Sequence, residues 1–404
     1  MKNILYVSSA CSDDMFSYLE SNRISTGFVY GMTVAANKFH NLIMQGFVSN
    51  NSNVSALVGL PVSFKSHKKK IWRKKKEFVD NVNFINLPFI NFPFIKHFFI
   101  GISCFFNILK WSRGKKNKLI VFDAAFVSII PFIFLANIFS KSKTIAIFSD
   151  IYNYMYDVEA KNTNYNLLGK ISRRLMKHYY GKTYGYVFLS EQMNDLINKN
   201  NKPYCVIEGV ASTKFLNQKF EVNKSKKNIL FYAGALRKEY GLEILLNGFM
   251  KYKDKMAELW ICGAGDYLDT IKELSLKDKR IKYKGVVSNA EAIEMEHQAT
   301  LLINPRPSNL EFTQYSFPSK LMEYMSSGNS VLTTKLPTIP KDYYDYLFFI
   351  EDESSDGIVA ALNNVLKKDD LKKFGLKTKK FIEENKTEIM QVKKIINICG
   401  DLND

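Results

Sequence analysis

Cysteine, proline and long apolar runs are all scarce in this sequence of 404 residues. Its five cysteines are scattered singly and form no Cys-x-x-Cys pair. This pattern excludes a disulfide framework or a thiolate zinc site and predicts reduced, buried thiols in a cytosolic protein. The apolar stretches 84–111 and 119–139 are interrupted by proline and polar residues, whereas a spanning helix needs about 20 apolar residues. We therefore expect no transmembrane helix, and we expect MKNILYVSSA to form a first strand rather than a signal peptide.

Motifs for metal and dinucleotide binding are also missing. The sequence has no Asp-x-Asp motif and no histidine cluster, so we expect no metal ion and no cofactor. The turn ICGAGD at 261–266 follows a strand-like run but lacks the third glycine of a dinucleotide-binding fingerprint. This departure disfavours a Rossmann dehydrogenase.

Positive charge is abundant: 57 basic residues against 39 acidic ones give a net charge of +18. The excess favours an anionic partner, which the charge alone does not identify. The basic runs 65–76 and 110–118 flank the aromatic segment 84–111. This segment is either a core helix beside solvated basic loops or a patch that enters the interface of an anionic membrane. Nucleic acid is disfavoured because aromatic and basic residues lie in separate blocks. The candidate membrane-binding residues are Lys68, Lys69, Lys70, Trp72, Arg73, Lys74, Lys75, Lys76, Phe98, Phe99, Phe105 and Phe106.

Short runs of β-branched and aromatic residues recur along the chain, separated by segments of helical pattern. Strands of this composition, joined by helices, are typical of parallel sheets covered on both faces. The expected strands lie at 3–9, 119–124, 144–150, 184–190 and 204–210, and then at 229–235, 258–265, 281–287, 299–305 and 330–334.

The polar, lysine-rich segment 217–228 interrupts this alternation and indicates a linker. We therefore predict an α/β protein with two Rossmann-like, doubly wound domains that face a central cleft. The predicted domains are 1–216 and 229–385, and a charged helical tail at 386–404 is expected to pack back on the first domain. Ligands of such sheets bind beyond the carboxyl ends of the strands.

Two segments that follow strands of the second domain carry candidate ligand-binding residues. Gly234 ends one strand and is followed by Arg237 and Lys238, a combination of flexible backbone and cations that suits a phosphate. Further on, Pro318 and Gly328 fit the start and the stop of a helix at about 318–327. Backbone N–H groups at its N-terminus form an anion site.

Lys320 and Glu323 lie three residues apart on this predicted helix and are therefore neighbours on one face. An ordinary surface ion pair is the simpler interpretation of these two residues. Arg306, in the preceding NPRP, is likewise compatible with a solvated arginine.

Several of these segments resemble, in the right order, retaining GT-B glycosyltransferases of family 4, especially members that build bacterial surface polysaccharides. The segment from NPRP through YSFPSKLMEYMSSG to KLPTIPKDYYDY resembles the donor site of the family. FYAGALRKEYGLEILL, LWICGAGD and YKGVVSNAE resemble its successive strand ends, and IAIFSDI, FLSEQMND and VIEGV resemble its first domain. The resemblance covers most of the chain and is strongest over 229–346 and weakest over 50–115.

The resemblance implies roles for individual residues. Glu323 matches the second glutamate of the family's Glu–seven residues–Glu motif and is expected to bind the donor ribose. Tyr315 stands in place of the first glutamate, and Glu311 is a candidate substitute with a catalytic role. The family's diphosphate-binding Arg and Lys would fall at Ala235 and Tyr240. The cations expected to replace them are Arg237 and Lys238, helped by Lys320 or Arg306.

SFPS takes the place of the family's glycine-rich loop, whose backbone amides face the donor sugar and diphosphate. In the first domain, Gly27 or Gly31 is expected on the loop that closes on the phosphates, and Asp150 is expected to face the acceptor hydroxyl as a catalytic residue. The remaining donor-site candidates are Gly263, Gly265, Val286, Ser316, Phe317, Pro318 and Ser319.

The implied function is metal-independent, retaining transfer of a hexose-type sugar from a UDP- or GDP-linked donor. The expected acceptor is a polyprenyl-diphosphate-linked glycan on the inner face of the plasma membrane, in capsule, O-antigen or exopolysaccharide synthesis. One alternative is a GT-B-type nucleotide-sugar epimerase or hydrolase, which would consume donor without an acceptor. Another is a non-catalytic protein that binds membrane or nucleic acid.

Overall fold

The computed structural model describes residues 1–24, 32–93, 95–149, 167–218, 220 and 227–400. It divides into two compact units. Unit 1 comprises residues 1–210 together with 388–404, and unit 2 comprises residues 211–387.

Unit 1 is built on an eight-stranded sheet of order β10-β9-β8-β7-β1-β2-β5-β4. Its neighbours pair in parallel except for β4, which runs antiparallel to β5 at the edge. A separate antiparallel pair joins β3 to β6. The strands are β1 (Lys2–Ser8), β2 (Ser52–Val58), β3 (Ile71–Trp72), β4 (Lys75–Val79), β5 (Val82–Asn86), β6 (Phe89–Ile90), β7 (Lys118–Asp123), β8 (Lys143–Phe148), β9 (Gly185–Phe188) and β10 (Tyr204–Val206).

Helices connect the parallel strands of unit 1, as right-handed crossovers of such sheets require. Several begin with a hydroxyl side chain that accepts a hydrogen bond from a first-turn backbone N–H, as Ser12 does from Met15 and Ser190 from Met193. The helices are α1 (Asp13–Ser21), α2 (Val34–Ser49), α3 (Ile95–Ser112), α4 (Ile130–Ser140), α5 (Leu167–Lys182) and α6 (Glu191–Ile197).

Unit 2 contains a six-stranded, fully parallel sheet of order β13-β12-β11-β14-β15-β16. A cluster of buried hydrophobic side chains packs on each face of this sheet. Burial on both faces explains why the central strands are almost continuously apolar. Its strands are β11 (Asn228–Ala233), β12 (Ala257–Cys262), β13 (Ile281–Tyr283), β14 (Leu301–Asn304), β15 (Ser330–Thr334) and β16 (Phe348–Ile350). Its helices are α7 (Thr213–Leu216), α8 (Leu242–Lys251), α9 (Leu268–Lys277), α10 (Asn289–Gln298), α11 (Ser319–Ser327), α12 (Ser355–Val365) and α13 (Leu371–Asn385).

The last helix, α14 (Glu388–Ile398), belongs to unit 1, where it packs on α2. A side chain on Gly46 would place its Cβ 2.3 Å from the Glu388 carbonyl oxygen, so the two helices touch at this glycine. The Gln391 amide donates to the Gly209 carbonyl oxygen at 2.8 Å. Unit 1 is therefore completed by a segment that follows unit 2 in the chain.

The α/β architecture with two Rossmann-like units is confirmed, and the ten expected strands are all present, although β10 and β13 are shorter than expected. The edge pair of β4 and β5, the inner strand β2 and the edge strand β16 were not anticipated. All five cysteines are free and buried. Among the described residues, no helix combines the length and the apolar character needed to cross a membrane.

Candidate functional site

The carboxyl ends of the strands of unit 2 are joined by closely packed glycine turns. The Gly234 N–H donates to the Cys262 carbonyl oxygen at 3.1 Å, and the Gly263 N–H donates to the Gly285 carbonyl oxygen at 3.0 Å. Gly263 has a φ of +132°, and a Cβ there would lie 1.9 Å from the Gly234 carbonyl oxygen. Only glycine fits such a position, and backbone of this kind can approach a ligand closely.

Arg306 follows β14 at the same edge of the sheet and is half-buried. Its guanidinium carbon lies 4.9 Å from the ring centre of Tyr240 and 5.3 Å from that of Phe312. Burial lowers the pKa of Arg306, while Tyr240 and Tyr232 act in the opposite direction. No acidic side chain pairs with Arg306 in the part of the chain that the structure describes. A half-buried cation without a carboxylate is suited to binding an anion.

Helix α11 begins close by in sequence and has the predicted limits to within one residue. Pro318 is its N-cap and provides no side-chain hydrogen bond, and Gly328 ends it with a φ of +80°. The helix is tied to the sheet because the Ala233 N–H donates to the Tyr324 hydroxyl at 2.8 Å. Its first backbone N–H groups therefore have no side-chain cap and carry the partial positive charge of a helix N-terminus.

Lys320 and Glu323 on α11 form an ion pair with a third, buried member. The Lys320 Nζ lies 2.7 Å from a Glu323 Oε1 and 3.5 Å from Glu296 Oε1 on α10. The Glu296 side chain is 0% exposed. The simple surface ion pair that the sequence allowed is therefore wrong: the pair is anchored to a carboxyl group inside the unit.

The protonation of this cluster follows from its burial. Burial, and then the neighbouring Glu323, raise the pKa of Glu296 from 4.5 to about 8. Burial alone would lower the pKa of Lys320, but Glu323 and Glu296 raise it above its ordinary value. The raised pKa of Glu296 favours the protonated, neutral form of its carboxyl group, and the raised pKa of Lys320 favours its ammonium form.

The predicted cations Arg237 and Lys238 lie on the surface beside acids of their own segment. Arg237 pairs with Glu239 at 3.2 Å, and Lys238 pairs with Glu243 at 3.0 Å. Exposed pairs of this kind are weak, so either cation can exchange its partner for a phosphate at little cost.

The other predicted donor-site residues fall into buried and exposed groups. Phe317 packs against Tyr343 in the core, which leaves only its backbone for a ligand, and Ser316 accepts a hydrogen bond at its carbonyl oxygen from Thr338. Tyr315 is half-buried after the short helix Glu311–Gln314. The exposed residues of the predicted site are Gly265, Val286, Glu311 and Ser319.

Of the residues predicted in unit 1, Gly27, Gly31 and Asp150 lie outside the described residues. The predicted lysines, Arg73 and the phenylalanines Phe98, Phe99 and Phe106 are exposed, and Phe105 is half-buried. Trp72 was wrongly assigned to the membrane-binding set. It is only 5% exposed, since its ring stacks on Phe89 at 5.9 Å across the pair β3–β6.

Glu296 and Tyr240 take part in the site although the sequence analysis assigned neither of them a role in it. A signal for Glu296 was present: it lies three residues after Ile293 and four after Ala292, which are both buried, so it belongs to the apolar face of α10. A glutamate on an apolar helix face requires a partner inside the protein.

Comparisons with known proteins agree with this geometry. Residues 214–387 match the family model described as glycosyl transferases group 1, and no curated protein matches the chain. A glycosyltransferase from Rickettsia africae has a TM-score of 0.66 at 12% identity, with 99% of this chain and 98% of that chain covered. Sucrose-phosphate synthase from Thermosynechococcus elongatus has a TM-score of 0.65 at 11% identity, with the same shares covered. HepE of Anabaena, solved in complex with UDP, has a TM-score of 0.63 at 9% identity, with 99% of both chains covered.

At these identities the structural similarity establishes the fold, which is GT-B. The family match covers most of unit 2, where the glycine turns, Arg306 and the Lys320–Glu323–Glu296 cluster lie. Residues 214–387 therefore resemble glycosyl transferases group 1, and the chain as a whole has the GT-B fold.

Proposed function

We propose that this chain is a retaining glycosyltransferase that uses no metal ion. It would transfer a hexose-type sugar from a nucleotide diphosphate donor to a hydroxyl group of a lipid-linked glycan during the synthesis of a bacterial surface polysaccharide such as capsule, O-antigen or exopolysaccharide. The observation that carries the donor assignment is Arg306, a half-buried cation held by two aromatic rings with no acidic partner in the described chain.

Each part of the donor has a matching group in unit 2. The diphosphate would lie between Arg306 and the backbone N–H groups at the start of α11, and Arg237 and Lys238 would add exposed charge. The Glu323 carboxylate, fixed by Lys320 at 2.7 Å, would accept hydrogen bonds from the ribose hydroxyls. Fixed cations and helix-end amides stabilise a departing diphosphate without a divalent ion.

In the proposed reaction, the bond between the anomeric carbon and the diphosphate oxygen breaks while the acceptor oxygen bonds to the same face of that carbon. The acceptor hydroxyl proton passes to the departing diphosphate, so atoms and charge balance. Nucleotide donors are supported by structural neighbours that were solved with such ligands, namely HepE with UDP and with UDP-glucose, and S. aureus TarM with UDP.

Thermal-shift titration with UDP-, GDP- and other nucleotide sugars tests the donor site. A true donor at 100 times its Kd should stabilise the protein by about 2.7 kcal/mol. Glu323→Gln should weaken binding by about tenfold to a hundredfold, because hydrogen bonds to a charged group contribute ~1.5–3 kcal/mol. The matched control is Glu294→Gln, an exposed glutamate of the neighbouring helix α10, which should bind the donor as the wild type does.

The proposal is wrong if no nucleotide diphosphate stabilises the protein or if both glutamine variants bind the donor equally. Product analysis separates the remaining enzyme classes. Release of free sugar without an acceptor would indicate a hydrolase, and an isomerised nucleotide sugar would indicate an epimerase.

We also propose that unit 1 lies on an anionic membrane surface at the cytoplasmic side. Phe98 and Phe106 on α3 are 59% and 62% exposed, and Ile138 and Phe139 on α4 are both 66% exposed. The two helices pack together, and Phe105 contacts Phe139. Exposed aromatic residues beside lysines suit the headgroup region of an anionic bilayer.

Co-sedimentation with vesicles containing anionic lipid tests this placement. Phe98→Ser/Phe106→Ser should reduce binding by about a hundredfold or more, since each buried aromatic side chain contributes ~1.5–3 kcal/mol. Leu276→Ser/Leu376→Ser, which removes two exposed apolar residues of unit 2, should leave it unchanged. Equal binding by both double variants would contradict the proposal.

A further inference from the structure

Unit 1 contains a cavity of about 700 Å³ that none of the assignments above explains. It lies where the strands β1, β2 and β5 end: α1 follows β1, Leu60 follows β2, and Asn86 is the last residue of β5. Carboxyl ends of parallel strands are the usual location of ligand sites in open α/β sheets.

One side of the cavity is apolar. Met15 and Leu60 are buried, and Trp72 forms part of the wall with its ring supported by Phe89. The Nζ of Lys69 lies 4.7 Å from the Trp72 ring centre, so the apolar wall ends at a cation. Cavities that are apolar with a few converging polar groups bind small organic ligands.

The other side is strongly cationic. Lys69, Arg73, Lys74 and Lys75 line the cavity, and Asp14 is the one acid among its described lining residues. Lys75 is paired with Glu77, and the other three cations form no ion pair with a described residue. Several cations on one wall of a cavity attract an anion.

Asn86 supplies an independent sign of a ligand. Its side chain is 1% exposed, and within the described chain neither its amide nitrogen nor its amide oxygen has a hydrogen-bond partner. A buried polar group without a partner costs about 1–3 kcal/mol, and such groups are rare unless a ligand or water completes them.

We propose that this cavity binds a phosphorylated amphiphile. Its apolar part would lie on Trp72 and Leu60, and its phosphate groups would be held by Lys69, Arg73 and Lys74, with the Asn86 amide donating to a phosphate oxygen. The assignment rests on the proposed function, in which the cavity receives the lipid-phosphate end of the acceptor. The proposal gives Lys69, Arg73 and Lys74 a specific ligand, whereas the other predicted membrane-binding lysines would only attract the membrane surface.

Calorimetric titration of the full chain with geranyl diphosphate tests the proposal, with inorganic pyrophosphate and geraniol as the separate polar and apolar parts. Geranyl diphosphate should bind at least about tenfold more tightly than either part, because each contributes binding energy of its own. Lys69→Gln/Arg73→Gln/Lys74→Gln should raise its Kd about tenfold or more, because charge-assisted hydrogen bonds to phosphate are lost.

The matched control is Arg113→Gln/Lys116→Gln/Lys141→Gln. This control also removes two lysines and one arginine, but from exposed positions of unit 1 that do not line the cavity. Its Kd should change less than about threefold, the size expected from screened, distant charges. Equal weakening by both triple variants would show general charge attraction and overturn the site. So would geraniol or pyrophosphate binding as tightly as geranyl diphosphate.

Asn86→Leu, which replaces the amide by an apolar group of similar size, should also weaken geranyl diphosphate binding, and unchanged affinity would overturn the role of the amide. The donor titration keeps this proposal apart from the proposed function. If nucleotide sugars bind and geranyl diphosphate does not, only the cavity assignment fails. If geranyl diphosphate binds as expected and no nucleotide diphosphate does, the proposed function fails while the cavity remains a site for an anionic amphiphile.

Discussion

Replacing Glu296 by glutamine should change how the stability of unit 2 depends on pH. Burial, and then Glu323, raise the pKa of Glu296 from 4.5 to about 8 in the folded protein. Between these two values the folded state binds one more proton than the unfolded state. The free energy of unfolding therefore falls as pH rises through this window and levels off above pH 8.

The change in the free energy of unfolding has an upper limit, because only one proton is released. A single group changes the free energy of unfolding by at most about 1.4 kcal/mol per pH unit, so the wild type should lose up to about 3 kcal/mol between pH 6 and pH 8. Lys320, which lies 3.5 Å from Glu296, stabilises the ionised form, and the pKa of about 8 already includes this effect. Glu296→Gln keeps the shape of the side chain and removes its titration. Between pH 6 and pH 8, the free energy of unfolding of the variant should therefore rise by about 1–3 kcal/mol relative to that of the wild type.

Urea unfolding measured at several pH values between 6 and 9 would show this difference. Trp260 reports on unit 2, and Trp72→Phe/Trp111→Phe in both proteins removes the fluorescence of unit 1. Titration of groups away from Glu296 is common to both proteins and cancels in the difference. Parallel pH profiles for the two proteins would refute the reasoning, because they would mean that Glu296 does not hold a proton that the unfolded chain releases.

Three further substitutions test two close backbone contacts and the role of Arg306 in binding the diphosphate. Gly263→Ala should destabilise unit 2 by about 2 kcal/mol or more in urea unfolding, because it combines an unfavourable φ with a Cβ 1.9 Å from the Gly234 carbonyl oxygen; wild-type stability would contradict this. Gly46→Ala should lower the stability of unit 1 by roughly 1–3 kcal/mol, because its Cβ would meet the Glu388 carbonyl oxygen at 2.3 Å, and calorimetry showing no change would disprove the contact. Arg306→Gln should weaken nucleotide diphosphate binding about tenfold or more without unfolding the protein, and unchanged affinity in the thermal-shift titration would place the diphosphate elsewhere.

The sequence predicted the strands of the central sheets because their β-branched and aromatic residues form short runs with clear ends. The strand β15 has the predicted bounds, and α11 starts one residue later than expected. The pattern failed for β2, where SNVSALV mixes small polar residues with apolar ones although most of its positions are buried. Burial there is imposed by two neighbouring strands, which local composition does not reveal.

The candidate sites show the same limit. Glu323 and Lys320 were found because they lie close together in sequence, whereas Glu296 comes from another helix and reaches them only in the folded protein. Trp72 was misassigned for a related reason. Its basic neighbours are local, but Phe89, which covers it, comes from the partner strand of an antiparallel pair. Contacts between segments that are distant in sequence determine the surroundings of Glu296 and Trp72, and no local sequence pattern predicts such contacts.

The place of α14 has a consequence for the synthesis of the protein. Unit 1 lacks its last helix until residues 211–387 have left the ribosome. At ~5–20 residues per second this takes on the order of ten seconds or more. Throughout that time the surface of α2 around Gly46 has no covering helix, and the Gly209 carbonyl lacks the hydrogen bond it later accepts from Gln391. The nascent chain therefore carries an unfinished unit 1 while the whole of unit 2 is translated, a period in which chaperones have a defined surface to protect.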